Sequence, residues 1–394
     1  MKPESVVILA GARTPMGGLQ GELSSVPAPE LGSTAIKAAL ERSGVQPEAV
    51  DEVFMGCVLP AGLGQAPARQ AARFAGLQDA TGAVTVNKMC ASAMQATIFG
   101  IDSLAAGTNE VVVTGGMESM SNAPHLIPNA RSGVRTGHKT INDHMFIDGL
   151  EDAYTGRAMG SFAQETADEY GLSRQQMDAF AVESLTRARQ AMASGKLDAE
   201  IAPVTIKTRS GEQVVREDEQ PHKANLEKIP TLRPAFAKDG SITAANASSI
   251  SDGASALVMT TAAYAEQQGL QAKARIVAHA RHSQAPAEFT IAPIGAMQKV
   301  LAAAGWSADE VDLFEINEAF AMVTMLAEQE LGLDHDKVNV HGGACAQGHP
   351  IGSTGSRIIV TLLHALETYG KQRGIAALCI GGGEATAVAI ERMA

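Results

Sequence analysis

Cys90 is a residue whose type and surroundings could make it a nucleophile. It lies in the segment 87–92 (NKMCAS), after a short apolar run and before a stretch of small residues. A cysteine at the start of a helix is stabilised as a thiolate by the helix dipole and by free N–H groups. With an ordinary pKa, only about 3% of a thiol is ionised at pH 7, so a nucleophile needs such a site and a base. The segment by itself is equally compatible with a buried structural cysteine.

His349 is a candidate partner for a thiol. It lies in the glycine-rich segment 342–352 (GGACAQGHPIG), ahead of a helix predicted from about 353 to 366. Glycines allow a ligand to approach the backbone closely. An imidazole is a common base for activating a thiol. The alternative is a loop histidine whose hydrogen bonds are satisfied locally.

Two further segments end predicted strands with reactive or polar residues. Cys379 begins the segment 379–384 (CIGGGE), where a thiol beside glycine N–H groups could exchange a proton near an oxyanion. A core cysteine before a tight turn is the simpler interpretation. Asn317, in 315–321 (EINEAFA), could hold a water or orient a histidine, or could merely cap a helix.

The elements that must position these residues alternate between strands and helices. Short apolar runs at 6–9, 111–113 and 376–380 are typical of strands covered on both faces. Longer alanine-rich stretches, among them 31–42 and 91–106, predict helices between them. This alternation predicts an α/β fold with a mostly parallel sheet.

The pattern occurs twice along the chain. A predicted helix followed by 44–54 (GVQPEAVDEVF) recurs as a helix followed by 305–314 (GWSADEVDLF). The segment before Cys90 also resembles residues 338–340, and in each half a helix and a glycine-ended strand follow. A duplicated domain with a pseudo-dyad would bring equivalent loops from both halves to one cleft. The alternative is the general similarity of any two α/β units.

The length, 394 residues, corresponds to roughly 2.6 domains of about 150 residues each. We predict an N-terminal half at 1–120, completed by about 250–272, and a C-terminal half at 273–394. Between them, 121–249 interrupts the repeat with proline-rich polar segments and one helix-like stretch at 161–194. Long insertions of this kind usually carry substrate contacts or an oligomer interface.

The composition excludes several classes of protein. The net charge of −12 argues against a nucleic-acid binder, and 45% hydrophobic with 19% charged residues argues against long disorder. Four cysteines without a Cys-x-x-Cys pair fit neither a disulfide scaffold nor a zinc ribbon, so we predict no metal site. No apolar run is long enough for a membrane span. We therefore predict a soluble cytoplasmic protein that contacts neither nucleic acid nor membrane.

Taken together, the motifs resemble those of the thiolase family, and the resemblance extends over nearly the whole chain. The segments that carry it are 12–15 (ARTP), 87–96 (NKMCASAMQA), 115–120 (GGMESM), 244–254 (AANASSISDGA), 317–320 (NEAF), 348–352 (GHPIG) and 379–383 (CIGGG). The resemblance implies the thiolase fold, a duplicated αβαβα five-layered core with an inserted loop domain.

The resemblance also implies reversible Claisen chemistry, in which acetyl-CoA and an acyl-CoA give a 3-oxoacyl-CoA and CoA. Cys90 would carry the acyl group, and His349 would take the Cys90 proton. Cys379 would remove the α-proton of acetyl-CoA. A water held by Asn317 with His349 would form one oxyanion hole, and the N–H groups of Cys90 and Gly381 the other.

By the same resemblance, coenzyme A and acyl-CoA are substrates, and no prosthetic group is expected. The assembly implied is a homotetramer, and the metabolic context is fatty acid metabolism. The residues expected to contact CoA are Met159, His222, Phe236, Ala244, Ser248 and Phe320.

Several alternatives stay open. The most probable reaction makes or cleaves acetoacetyl-CoA, but a degradative 3-ketoacyl-CoA thiolase of broader chain length uses the same residues. Ala158 stands where short-chain biosynthetic relatives often have histidine, which leaves chain-length selectivity open. A carrier-protein-dependent condensing enzyme, a cysteine hydrolase and a non-catalytic acyl-CoA-binding protein are further alternatives. None of these three needs the combination of Cys90 with Cys379.

Overall fold

The computed structural model describes residues 5–209 and 211–393. Its main feature is one large mixed sheet in the order β12-β13-β14-β11-β1-β10-β5-β3-β4, with β2 paired to β10. Two short hairpins, β6–β7 and β8–β9, lie outside it. The strands are β1 Val6–Arg13, β2 Gly17–Gly18, β3 Glu52–Gly56, β4 Gly82–Val86, β5 Val111–Ser119, β6 His125–Leu126, β7 Asn142–Asp143, β8 Val204–Thr208, β9 Gly211–Val215, β10 Ser251–Thr261, β11 Ala274–Ser283, β12 Leu313–Ile316, β13 Arg373–Ile380 and β14 Glu384–Arg392.

The expectation of a mostly parallel sheet is wrong. Among the strands that the structure describes, the parallel pairs of this sheet are β3–β4, β3–β5 and β12–β13, and its other pairs are antiparallel. The reason is visible at β13 and β14, which are joined by a tight turn rather than by a crossover helix. Gly382 and Gly383 have φ values of 95° and 87° in that turn. A connection so short can join only antiparallel strands.

The predicted duplication is present in the sheet. In the first half β3 pairs in parallel with β4 and β5, and in the second half β12 pairs in parallel with β13. A single parallel bridge between Phe314 and Val338 replaces the full partner strand that β4 provides in the first half. The halves meet where β1 pairs antiparallel with β11. Equivalent strand ends from both halves therefore face one another across a pseudo-dyad.

Three hydrophobic cores hold the layers together. Along β1, Val7 and Leu9 belong to the outer core beneath α1 (Ala28–Ser43) and α2 (Pro67–Phe74), whereas Val6 and Ile8 belong to the central core. The central core contains both α3 (Ser92–Ala105) and α11 (Thr354–Thr368), and a third core lies beneath α8 (Ala292–Ala304) and α9 (Ala321–Leu331). Alternating side chains of a strand point to opposite faces, so strands with both faces covered read as continuous apolar runs. The predicted αβαβα five-layered fold is confirmed.

Most predicted helices are present, with ends that differ from the prediction by one to three residues. The exception is the single helix-like stretch at 161–194, which is two helices, because Gly171 adopts φ 64° and Ser173 begins the second helix with a capping box. The α-helices are α1 Ala28–Ser43, α2 Pro67–Phe74, α3 Ser92–Ala105, α4 Met159–Glu169, α5 Arg174–Ala193, α6 Glu219–Lys223, α7 Ala262–Gln268, α8 Ala292–Ala304, α9 Ala321–Leu331, α10 Ala344–Gln347 and α11 Thr354–Thr368.

A buried ion cluster fastens the segment between β5 and β10 to the core. Arg13, at the end of β1, donates two hydrogen bonds to Asp218, at 2.7 and 2.9 Å, and a third to Glu200. All three side chains are fully buried. Breaking one partner of such a cluster leaves an uncompensated buried charge. Among the described residues, no helix is long and apolar enough to cross a membrane.

Candidate active site

Cys90 lies in the turn between β4 and α3. Met89 has φ 48°, a left-handed conformation that costs energy for a residue with a side chain. The hydroxyl of Ser92 holds this turn, since it accepts from the Lys88 N–H at 2.9 Å and donates to the Met89 carbonyl at 2.6 Å. The turn leaves Cys90 partly exposed, directly before α3. The strand-to-helix position predicted for this residue is therefore present.

The Cys90 thiol is protonated at neutral pH. Burial raises its pKa to about 11, and the N–H groups of Gly381 and of Cys90 itself act in the opposite direction by donating to the sulfur. A thiol of this kind becomes a nucleophile only when a base takes its proton.

Cys379 lies next to Cys90 although it belongs to the other half. It is near the end of β13, paired with Ala385 of β14, and is fully buried. Its pKa is raised well above the ordinary value by burial and then by the charge of Cys90. The effect of Cys90 on Cys379 means that the two side chains are near one another, and the N–H of Gly381, two residues after Cys379, donates to the Cys90 sulfur. The structure thus brings together Cys90 from the first half and Cys379 with Gly381 from the second.

His349 enters the same region from the loop before α11. Its backbone N–H donates to the Ser249 carbonyl at 3.1 Å, and Ile351 packs in one hydrophobic cluster with Cys90. Nδ1 lies 2.6 Å from Oγ1 of Thr354, while Nε2 is buried without a partner among the described residues. Burial, with a smaller effect of Arg357, lowers its pKa to about 3. His349 is consequently a neutral imidazole with one free nitrogen.

Asn317 follows β12 and has an amide with no protein partner. Its backbone N–H donates to the Ala377 carbonyl at 3.0 Å, which fixes it beside β13. The side chain is 1% exposed, and neither Oδ1 nor Nδ2 has a hydrogen-bond partner among the described residues. Buried polar groups are rarely left unpaired, and ordered water commonly satisfies them. Asn317 is thus suited to hold a water.

Glu318 joins the loop of Asn317 to the loop that leads to His349. Its carboxylate accepts from Ser184 and from Asn339, both at 2.8 Å, and from the Cys345 N–H at 3.0 Å. The Cys345 sulfur, partly buried, lies 3.7 Å from the Glu318 carbonyl oxygen. These contacts indicate that Cys345 packs within the loop that leads to His349.

Glu118 is a site residue to which the sequence analysis gave no role. It is fully buried at the end of β5 and accepts from the N–H groups of Val58, Leu59 and Gly352 at 3.0, 3.1 and 2.8 Å. Burial raises its pKa to about 7, and the three N–H donors oppose that shift. Glu118 therefore fastens the loop after β3 to the loop of His349. The only signal in the sequence was one charged residue in an apolar, glycine-containing strand.

Most of the residues expected to contact CoA surround these loops. The rings of Phe236 and Phe320 are in edge contact with centroids 6.1 Å apart, and Met159 packs against Gly381. The Ser248 N–H donates to the Ala319 carbonyl at 2.9 Å. Ala244 is exposed and lines a cleft of about 300 Å³. Five of the six predicted residues thus lie along one side of the site.

His222 is placed apart from that cleft. Its Nε2 lies 2.6 Å from a carboxylate oxygen of Glu217, and it lines two other surface clefts. The cleft beside Ala244 is lined instead by Lys223 and Lys228. Lys223 is paired with Glu219, and Lys228 is exposed without an ion-pair partner among the described residues.

The site has no arrangement suited to a metal ion. In the described ranges 5–209 and 211–393, no group of three or more His, Cys, Asp or Glu side chains could hold one. The groups available for chemistry are therefore two thiols, one neutral imidazole, one amide and backbone N–H donors.

Comparison with known sequences agrees with this geometry. Residues 6–263 match the model of the family domain described as "Thiolase, N-terminal domain", and residues 270–392 match "Thiolase, C-terminal domain". The chain belongs to the thiolase family.

Its relatives carry a more specific name. A probable acetyl-CoA acetyltransferase from Dictyostelium discoideum is 47% identical over 99% of this chain and 94% of the relative. The acetyl-CoA acetyltransferase of Cupriavidus necator is also 47% identical, over 98% of this chain and 99% of the relative.

Solved structures show the same overall fold. The acetyl-CoA acetyltransferase of Bacillus anthracis is 41% identical, with a TM-score of 0.96 and 99% of each chain covered. The Acat5 thiolase of Ascaris suum, solved in complex with coenzyme A, is 40% identical, with a TM-score of 0.94 and coverage of 99% of this chain and 100% of that one.

Proposed function

We propose that the protein is an acetyl-CoA C-acetyltransferase, which joins two acetyl-CoA molecules into acetoacetyl-CoA and CoA, or reverses that reaction. The observation that carries this proposal is the pair of neighbouring thiols, Cys90 and Cys379, beside one neutral histidine. Claisen condensation needs one group to carry the acyl unit and another to remove a proton from carbon. A single thiol cannot perform both tasks at once, whereas two thiols, one from each half of the fold, can.

In the first half-reaction Cys90 attacks the thioester carbon of acetyl-CoA. Its proton goes to the free Nε2 of His349, and CoA leaves as a thiolate that takes the proton of Cys379. Cys90 then holds the acetyl group, His349 is an imidazolium, and Cys379 is a thiolate. The N–H groups of Cys90 and Gly381 stabilise the negative oxygen of the tetrahedral intermediate.

In the second half-reaction the Cys379 thiolate removes an α-proton from a second acetyl-CoA. A water on Asn317, together with the protonated His349, stabilises the enolate oxygen. The enolate carbon attacks the acetyl group on Cys90 and forms the new carbon–carbon bond. The Cys90 sulfur leaves and recovers its proton from His349, so the protein returns to its starting state.

The CoA part of the substrate is proposed to enter past the group Met159, Phe236, Ala244, Ser248 and Phe320. The apolar surface of these residues, next to Gly381, suits the pantetheine arm. At the outer end, Lys223 and Lys228 line the cleft beside Ala244 and are better placed for phosphate groups than His222, which faces Glu217.

The chain organisation and the assembly are also proposals. We assign residues 1–120 with about 250–272 to one half, 273–394 to the other, and 121–249 to an inserted domain for CoA binding and oligomerisation. A homotetramer is supported by exposed apolar side chains in one stretch of that domain. They are Ile127, Val134, Ile141, Phe146 and Ile147.

The cytoplasm and fatty acid metabolism are the proposed setting. All four cysteines are free thiols, which fits a reducing compartment. Acyl-CoA esters are intermediates of fatty acid metabolism, and a thiolase can either form or cleave them.

A thiolysis assay tests the assignment. The protein is incubated with acetoacetyl-CoA and CoA, and the loss of enolate absorbance is followed together with the formation of acetyl-CoA. If neither change occurs, the proposal is wrong. A series of 3-oxoacyl-CoA chain lengths, compared by kcat/KM, then distinguishes the acetyl enzyme from a 3-ketoacyl-CoA thiolase of broader chain length.

A further inference from the structure

The hydroxyl of Thr354 bridges the catalytic histidine and a backbone carbonyl. Oγ1 lies 2.6 Å from Nδ1 of His349 and 3.0 Å from the carbonyl oxygen of Pro350. Thr354 is the first residue of α11 and is fully buried, as Pro350 is. A threonine in the first turn of a helix commonly donates to the carbonyl four residues earlier.

These two contacts determine where the protons lie. A hydroxyl has one proton to donate, and the Pro350 carbonyl can only accept. If the hydroxyl donates to Pro350, the contact with His349 is a hydrogen bond only when Nδ1 carries a proton. In the opposite arrangement the hydroxyl gives its proton to Nδ1, and its oxygen lies 3.0 Å from the Pro350 carbonyl oxygen with no proton between them. That carbonyl also accepts from the N–H groups of Ser353 and Thr354, at 2.9 and 3.0 Å. The contacts therefore favour the tautomer with a proton on Nδ1 and a lone pair on Nε2.

We propose that Thr354 is a positioning residue that holds His349 in the tautomer whose free Nε2 can accept the Cys90 proton. This inference rests on the proposed function. It names the group that decides which nitrogen acts as the base. In serine-protease triads the equivalent partner is a carboxylate, which stabilises the imidazolium as well as orienting the ring.

The partner of His349 is instead an uncharged hydroxyl, and the charge that acts on the ring is that of Arg357. Both features disfavour the imidazolium. The proton of Cys90 thus moves to Nε2 only as the thioester is attacked, and the resting pair is a thiol and a neutral imidazole.

The tautomer is measured directly by nitrogen NMR of protein labelled with ¹⁵N-histidine. The signals of His349 are identified by their loss in His349→Asn. We expect a protonated Nδ1 and an unprotonated Nε2 in the wild type and in Thr354→Ser. In Thr354→Val, Nδ1 has no acceptor, so we expect the proton on Nε2. A wild type with its proton on Nε2, or a valine variant with the wild-type tautomer, overturns the proposal.

Activity gives the second readout. Removing a correctly placed general base costs on the order of 10²-fold or more, so we expect kcat of Thr354→Val to fall by at least about 10²-fold and Thr354→Ser to restore most of it. Thr97→Val is the matched control. Thr97 is equally buried and its hydroxyl also donates to the carbonyl four residues earlier, that of Ala93, at 3.0 Å, but this contact does not involve a histidine. If Thr354→Val is as active as Thr97→Val, the positioning role is wrong.

One further variant and the activity of the wild type keep the result decisive. Thr354→Ala removes the hydroxyl without adding a methyl group and replaces the valine variant if that protein does not fold. A wild type without thiolase activity would refute the proposed function, while the NMR spectrum would still decide the tautomer. The two failures are therefore distinguishable.

Discussion

Lys88 and Glu384 form an ion pair of 2.6 Å that joins the two halves of the protein beside the two thiols. Lys88 lies two residues before Cys90, and Glu384 begins β14 after the turn that follows Cys379. The residues are 296 positions apart in sequence. This pair links the loop of Cys90 to the turn after Cys379, and the proposed chemistry requires these two segments to be aligned.

We expect a small stability effect from removing this ion pair. Lys88→Met, Glu384→Gln and the double variant form a thermodynamic cycle for the free energy of unfolding. Because the side chains are 22% and 34% exposed, a coupling of about 0.2–1 kcal/mol is expected. The pair Arg157–Glu165, at 42% and 59% exposure, serves as the control and should show less. If the free-energy changes of Lys88→Met and Glu384→Gln simply add up to that of the double variant, the pair does not connect the loops.

The two thiols should separate the two half-reactions. With Cys379→Ser, we expect Cys90 to be acetylated by acetyl-CoA while acetoacetyl-CoA is neither formed nor cleaved, because the proton transfer at carbon is lost, whereas the departing CoA thiolate can take its proton from solvent instead of from Cys379. Cys90→Ser should lose the covalent adduct itself. Mass spectrometry of the intact protein measures the adduct. Condensation by Cys379→Ser at the wild-type rate would refute the role assigned to Cys379.

Asn317→Ala should lower kcat by about 10²–10³-fold, the usual effect of losing one oxyanion donor. The expectation follows from an amide that is buried but has no partner among the described residues. The assay is acetoacetyl-CoA thiolysis with saturating CoA. Asn109→Ala is the control, since that side chain contacts Glu52 and Ser103 just before β5, at the opposite end of that strand from Glu118. An equal loss in both variants would point to general destabilisation.

Glu118→Gln should destabilise the fold although it preserves shape. An amide nitrogen cannot accept from the N–H groups that the two carboxylate oxygens now satisfy. Leaving one buried donor unsatisfied costs roughly 1–3 kcal/mol. Urea unfolding measures the change, with the exposed Glu212→Gln as the control. Equal stability of the two variants would mean that the carboxylate does not fasten the loops.

His349 should make stability depend on acid pH. Its pKa is lowered from 6.5 to about 3 by burial, so the folded protein binds fewer protons than the unfolded chain across this range. The stability that comes from keeping His349 neutral in the folded protein is fully present above pH 6.5 and is lost as the pH falls towards 3. Between pH 7.5 and 5, we therefore expect His349→Asn to lose less stability than the wild type. Urea midpoints at both pH values test this, and the exposed His138→Asn should behave as the wild type does.

Local signals in the sequence predicted the elements and the chemical groups well. The apolar runs that become β1 and β13 are continuous because both faces of those strands are covered, and Gly44 and Gly305 end equivalent helices in the left-handed conformation. The repeat of these signals predicted the duplicated fold. Cys90, His349 and Cys379 were conspicuous because reactive side chains stand among glycine and alanine.

The antiparallel character of the sheet could not be predicted from the same signals. Strand direction depends on which strands become neighbours, and β10 pairs with β1 and β5 although it follows them by well over a hundred residues. Glu118 and Thr354 were missed for a similar reason. Their importance arises from what they contact across the molecule, and nothing in their own surroundings in the sequence indicates those contacts.

The sequence by itself determined which reactive groups exist, that two related halves present them, and roughly where the main strands and helices lie, since these follow from local periodicity and turn chemistry. Only the tertiary structure decided that the two thiols are neighbours, which nitrogen of His349 is free, and that the amide of Asn317 has no partner among the described residues. Those properties depend on burial and on hydrogen bonds between distant segments. Both are fixed only when the two halves pack around α3 and α11.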